Sequence, residues 1–263
     1  MKDGNFNKSI NKNTDKNTNK KRFDFRYWIT LIVVILVVAG KYLQDEGVFD
    51  AGVDLSGGEP VTYGQEISDF QIPEYDGDLY VEINDNIPFF TEDDLTTESY
   101  ENYSPLDEYG RCGVAMANIG TDLMPTEPRG EIWQIKPTGW QSAKYDFVDG
   151  YSLYNRSHLI AFMLAGENDN ERNLITGTRS FNAEGMQPFE IEVCDYVEDT
   201  DNHVLYRVTP VFEDDNLVAD GVLMEAYSVE DNGKGICFNV FVYNVEPGVE
   251  IDYSDGSNRP ADR

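Results

Sequence analysis

The stretch Tyr154–Glu190 reads YNRSHLIAFMLAGENDNERNLITGTRSFNAEGMQPFE, and it lies largely within a segment whose charge differs from the rest of the chain. From Arg129 to Arg179, six basic side chains (Arg129, Lys136, Lys144, Arg156, Arg172, Arg179) face six acidic ones, so the segment is neutral. The whole chain of 263 residues carries 49 acidic and 20 basic side chains, a formal charge of −29. Eight basic and three acidic residues fall in 1–26, which leaves −34 for the remainder. Such a surface repels nucleic acid and anionic lipid at long range, so charge alone argues against a nucleic-acid protein. Half of the twelve basic residues beyond position 26 nevertheless sit in the neutral segment.

That segment also holds His158, one of two histidines. A lone histidine is often structural. Here an always-charged guanidinium, Arg156, stands two residues from an imidazole that can accept a proton near neutral pH. Downstream, Ser180–Val197 spaces its apolar residues as a helix, with Pro188 near the start. Asn182 and Glu190 are eight apart on it, within about 80° of one direction, so both can face one cleft. An amide oxygen and a carboxylate are hard ligands suited to Mg²⁺, which keeps most of its waters. His, Asn, Glu and Arg together can support metal-assisted phosphodiester hydrolysis.

Working outward, His203–Glu213, Leu217–Glu230 and Ile236–Val245 read as three strands, separated by turns at Asp214–Asn216 and Asp231–Gly235. Short turns predict antiparallel pairing. Asp78–Asp85 alternates as a strand, and Gly110–Gly120 and Lys144–Val148 are further candidates. The aromatic content, 13%, supplies a core that a disordered acidic chain would lack. The expectation is an α+β domain with a mainly antiparallel central sheet flanked by helices.

Upstream, Tyr27–Gly40 reads YWITLIVVILVVAG, uncharged and bounded by Arg26 and Lys41. It is short for a bilayer span unless Lys41 snorkels and Tyr42 and Leu43 extend it. A basic flank before it holds the N-terminus inside and sends the rest across. A signal anchor and a signal peptide cleaved after Ala39 both fit. Either places the folded part outside the cell: on the outer face of the membrane if anchored, secreted if cleaved. The expected organisation is a basic cytoplasmic tail (1–26), an anchor or signal peptide (27–43), an acidic linker (44–75), a folded domain (76–252) and a flexible tail (253–263), with 249–263 frayed.

Several classes are excluded. Cys112, Cys194 and Cys237 match no zinc spacing and allow at most one bridge. The acidic runs Glu92–Asp94 and Glu198–Asp201 lack the EF-hand's glycine and ligand spacing. No Gly-x-Ser-x-Gly elbow occurs, and no base motif lies near a cysteine, so acyl-transfer hydrolases are set aside. His203 opens a strand without a partner motif. Trp133, Trp140 and most tyrosines read as core, although one or two could stack on the bases of single strands.

The quoted stretch resembles the DNA/RNA non-specific endonucleases of the ββα-metal superfamily, near their secreted and membrane-anchored Gram-positive forms. The family's Asp-Arg-Gly-His signature stands here as Asn155-Arg156-Ser157-His158, its Asn-rich segment as Asn173–Gly177, its helix Asn as Asn182 and its helix Glu as Glu190. Less specifically, the likeness runs from about Pro73 to Asp252.

The resemblance implies that His158 is the general base and Asn182 the direct ligand to Mg²⁺, with Mn²⁺ as the alternative metal. Glu190 would hold metal-bound water, Asn173 and Asn155 would support the site, and Arg156 would bind or orient phosphate. Arg179 and Arg172 are further phosphate candidates. Asn155 and Ser157 depart from the signature, and Gly177 stands where a polar Gln is frequent. The substrates implied are DNA and RNA, with room for an inhibitor or immunity protein as a partner. The competing reading is an inactive surface binding or structural module on the same fold, which the −34 charge favours and the retained His158, Asn182 and Glu190 oppose.

Overall fold

The three strands expected between 203 and 245 pair in sequence order and form the centre of the fold. The structure, a computed structural model, describes residues 72–261. Its strands are β1 (Tyr80–Glu82), β2 (Tyr100–Tyr103), β3 (Ala115–Ile119), β4 (Tyr154–His158), β5 (Leu174–Thr178), β6 (Val204–Val211), β7 (Gly221–Ser228), β8 (Cys237–Tyr243), β9 (Val249–Ile251) and β10 (Asn258–Pro260). Six of them form one antiparallel sheet in the order β1-β8-β7-β6-β3-β2. Every residue of β7 is buried, so both faces of the sheet are covered.

On one face Tyr206, Val222, Met224, Ala226 and Val240 pack against Phe181, Met186, Val193 and Val197 of the helical segment. On the other, Arg207 Nε lies 2.5 Å from Glu225 Oε2, and both side chains are buried. Glu225 also accepts a hydrogen bond from the Phe89 amide at 2.8 Å, which ties the covering segment to the sheet. A buried pair needs such extra partners to offset desolvation.

The second substructure holds the quoted stretch. β4 and β5 pair antiparallel, with His158 opposite Leu174. Between them lies a short helix, α1 (Phe162–Ala165), closed by Gly166 at φ 65°. After β5 the chain makes a π-helical turn, Phe181–Met186, and runs straight into α2 (Gln187–Thr200). Two strands followed by a helix are the ββα unit. Asn244, just after β8, fixes it to the large sheet: its Oδ1 accepts from Thr178 N (2.9 Å), and its Nδ2 donates to Thr176 O (3.0 Å). Glu246 accepts from the amide (2.9 Å) and hydroxyl (3.0 Å) of Ser180, which fixes where the helical segment begins.

Some expectations are corrected. Lys144–Val148 is no strand; Lys144 makes one isolated bridge to Ser152 around a loop closed by turns. Up to residue 261 the end of the chain is neither frayed nor a free tail, because β9 and β10 pair and Tyr253 Oη donates to Asn244 O at 2.7 Å. β2 was not foreseen. The three cysteines are free. The tail, the apolar 27–43 segment and most of the linker lie outside the described residues. Among the described residues no helix is long and apolar enough to cross a membrane.

Candidate active site

Strand alternation decides what β4 offers. Arg156 and His158 are two apart, so they share a face, and both line a cleft of about 580 Å³. The other face carries Ser157, whose buried Oγ lies against Gly177. A side chain at 177 would run into that hydroxyl and come within 2.6 Å of the Phe181 ring, so no polar residue fits there.

His158 is held at both ring nitrogens. Nε2 lies 2.8 Å from the Asn168 carbonyl, which can only accept, so Nε2 carries the proton. Nδ1 is therefore the basic nitrogen, and Arg129 Nη2 approaches it to 3.2 Å. Burial pushes the imidazole down to about 4; the Asn168 contact opposes that shift and the Arg129 charge adds to it. The ring is neutral at physiological pH and able to take a proton. Asn173 secures the chain just beyond it, accepting from Ile160 N (2.8 Å) and donating to Ile160 O (2.9 Å) while fully buried.

Across the cleft stand Asn182 and Glu190. A π-turn closes i→i+5 bonds and rotates less per residue than an α-turn, which reduces the 80° offset expected of a plain α-helix. Glu190 is buried, makes no hydrogen bond among the described residues, and burial raises its carboxyl to about 8, with Arg129 acting against the rise. The Asn182 side chain likewise has no hydrogen-bond partner among the described residues. A buried carboxyl and a free amide oxygen that line one cleft fit a hard divalent cation, which would ionise the one and be ligated by the other. No group of three or more His, Cys, Asp and Glu suited to a metal occurs among the described residues. The cleft thus offers a cation one protein amide directly and one carboxylate that can hold its water.

The arginines differ from one another. Arg156 donates through Nε to Ile135 O and through Nη2 to Trp133 O (2.8 Å), with its guanidinium 4.1 Å above the Trp140 ring. It braces the 129–140 loop against β4 while still lining the cleft. Arg179 lines the cleft but is bound to Asp149 at 2.7 Å. Arg172 is exposed and does not line it. Asn155 lines the cleft with a buried Nδ2 that lacks a partner.

Two residues with no role in the sequence reading are central. Arg129 is the arginine that reaches His158, and Asn168 accepts from His158 Nε2 on its carbonyl and from the Gly130 amide (3.2 Å) on its side chain. Neither lies in a recognisable motif; the only signal for Arg129 was its place in the neutral segment.

A ββα unit whose strand histidine, helical Asn/Glu pair and arginines line one cleft has the architecture of the ββα-metal nucleases. The DNA/RNA non-specific endonuclease family profile matches residues 91–230, and the chain belongs to that family. It is a nucleic-acid-hydrolysing enzyme. Among solved structures it is similar to NucA from Streptococcus agalactiae with magnesium bound, at 27% identity and TM-score 0.61, over 68% of this chain and 86% of that one. The same protein with no metal bound gives 25% and 0.61. The Sda1 nuclease with a bound zinc ion gives 30% identity and TM-score 0.52, over 62% of this chain and 81% of that one. No curated protein matches.

Proposed function

We propose that the chain is a Mg²⁺-dependent endonuclease that cuts DNA and RNA, with His158 as general base. The observation that carries this is the cleft itself, lined by a neutral imidazole whose Nδ1 is covered only by the Arg129 guanidinium, a buried carboxyl and an amide, the last two without hydrogen-bond partners among the described residues. NucA, a relative at 27% identity, has been seen with magnesium bound, which supports the choice of metal.

In this reading water is deprotonated at His158 Nδ1, and the imidazolium that forms is stabilised by its Nε2–H bond to Asn168. Arg129 gives up its contact with Nδ1 and donates instead to the two non-bridging phosphate oxygens, a bidentate contact for which a guanidinium is suited. Asn173 keeps β4 and the following loop in register, and Arg156 holds the loop that carries Arg129. A divalent cation held by Asn182 and, through water, Glu190 would supply charge stabilisation at the scissile phosphate and leaving oxygen. Three arginines line a cleft in which Glu190, with its raised carboxyl, is the one acid among the described lining residues, and although Arg179 is paired with Asp149 they make a local positive field inside an acidic molecule.

The uncharged run Tyr27–Gly40 after a basic flank supports action outside the cytoplasm, either anchored or released. The test is nicking of supercoiled plasmid by the wild type and His158→Ala, with Mg²⁺ and with EDTA. Nicking that needs Mg²⁺ and His158 is expected. Equal nicking in EDTA would remove the metal from the reaction.

A further inference from the structure

Trp133 and Tyr151 are the two most exposed large apolar side chains among the described residues, at 68% and 62%. Isolated exposed aromatics are common and need no explanation. These two differ in where they sit. Trp133 is the second residue of a turn closed by Ile135 N donating to Ile132 O (3.2 Å). Ile132 lines the catalytic cleft, and both Trp133 O and Ile135 O are bound by Arg156 from the cleft wall. The indole is thus carried on a backbone tied to the cleft at Ile132, Trp133 and Ile135, and it is left without a place in the core.

Tyr151 comes from the neighbouring loop. Its successor Ser152 lines the same cleft, and Asp149 of that loop is bound by the cleft-lining Arg179. Tyr151 also adopts φ 66°, a left-handed conformation that is an outlier for a bulky residue. Two hydrogen bonds hold it there, from its amide to Val148 O and from Tyr145 N to its carbonyl, each 2.9 Å. Strain that the surroundings enforce on an exposed ring at a site is a reason to look for a ligand.

We propose that Trp133 and Tyr151 are base-stacking platforms on the loops bordering the scissile phosphate, and that they make the enzyme favour unpaired over duplex nucleic acid. The occupant follows from the chemistry of the cleft. A phosphodiester held near Arg129 carries a base on either side, and an aromatic face binds any base without reading its sequence. Paired bases are stacked within the helix and cannot use these rings. This deepens the endonuclease reading and rests on the cleft being where nucleic acid binds.

The test measures binding, with chemistry stopped by EDTA, by anisotropy of a labelled short single strand and of the same strand made abasic. Trp133→Ala and Tyr151→Ala should each weaken binding of the base-bearing strand about tenfold, and Trp133→Phe should recover most of the loss. The wild type should bind the abasic strand as weakly as the double Ala variant binds the normal one, and that variant should lose nothing further on the abasic strand. The slope of log Kd against log salt should be the same for wild type and variants, because no phosphate contact is lost. Equal losses on both strands, or a wild type that binds both equally, would overturn the proposal. A failed role for His158 would appear only in plasmid nicking, so the two failures are distinct.

Discussion

Arg129 Nη2 lies 3.2 Å from His158 Nδ1, the one ring nitrogen that can act as a base. Asn168 holds both partners: its carbonyl accepts from His158 Nε2, and its side-chain oxygen accepts from the amide of Gly130 beside Arg129. Burial keeps the imidazole neutral, with the guanidinium charge adding to it, and the guanidinium must leave Nδ1 before water can approach. In the proposed mechanism, binding of phosphate by Arg129 and exposure of the base are therefore one event.

His158→Ala should lower turnover on plasmid by about 10²–10⁴, the usual worth of a general base. The thermal midpoint should move little, because the neighbouring Asn168 carbonyl can bond water. Initial nicking rates together with a melting curve check both. Near-normal rates in a folded variant would take His158 out of the mechanism.

Activity should persist at a pH where an ordinary histidine is already charged. The base works when neutral, and its folded value is about 4 against an ordinary 6.5, so the acid limb of kcat/KM should lie well below pH 6.5. Arg129→Ala removes a charge that lowers this value, so the limb should move up in that variant, alongside a loss in kcat/KM. A limb at 6.5 in the wild type would contradict the neutral-base assignment.

Glu190 makes metal-free stability depend on pH. Its folded value, about 8, lies above its ordinary 4.5, so the folded state keeps a proton that the unfolded state has lost across that window. Its contribution is complete below pH 4.5 and disappears as pH rises to 8, on the order of 5 kcal/mol. His158 runs the other way: its contribution is present above pH 6.5 and is lost as pH falls toward 4. Between pH 6.5 and 8 only Glu190 acts, so in EDTA the melting temperature should fall there. Saturating Mg²⁺ should offset the fall, and Glu190→Gln should abolish it. A flat profile for the wild type in EDTA would mean the carboxyl is not protonated in the folded state.

Asn182→Ala should raise the Mg²⁺ concentration needed for half-maximal rate, by about 10-fold or more. Glu190→Ala should raise it less, since its contact runs through water. Rate against Mg²⁺ concentration reads both; unchanged curves would move the metal off the helix.

Much of this site was legible because it depends on local order. Asn155–His158 lies in one strand and Asn182 to Glu190 in one helical run, so spacing put Arg156 with His158, and Asn182 with Glu190, on the one cleft they line. The large sheet was legible for the same reason, as alternation with short turns between strands. What sequence did not show depends on distant partners. Arg129 meets His158 across 29 residues, and Asn244 rivets β5 across more than sixty. Arg156, expected on phosphate, gives two of its donors to backbone carbonyls of a loop whose path no periodicity announces. Trp133 was expected in the core because indoles usually bury; its exposure follows from the turn at Ile132–Ile135. The paired end at β9 and β10 was missed because three-residue strands leave almost no alternation to read.

The acidic surface and the cationic cleft should oppose each other in their response to salt. Outside residues 1–26 the chain carries −34, while the cleft presents Arg129, Arg156 and Arg179. Repulsion from distant acids is long-ranged and is screened within about 8–10 Å at physiological ionic strength. Contacts with phosphate are short-ranged and weaken only as counterions compete for them. Rising salt should first speed encounter and then weaken binding, giving a maximum in the initial cleavage rate against NaCl at saturating Mg²⁺. The falling limb should be shallow, because Arg179 is bound to Asp149 and Arg156 to two carbonyls, which leaves Arg129 as the main phosphate contact. Asp149→Ala frees Arg179, and that variant should show a higher peak and a steeper fall. A steep loss from the lowest salt in the wild type would mean the acidic surface faces away from the approaching strand.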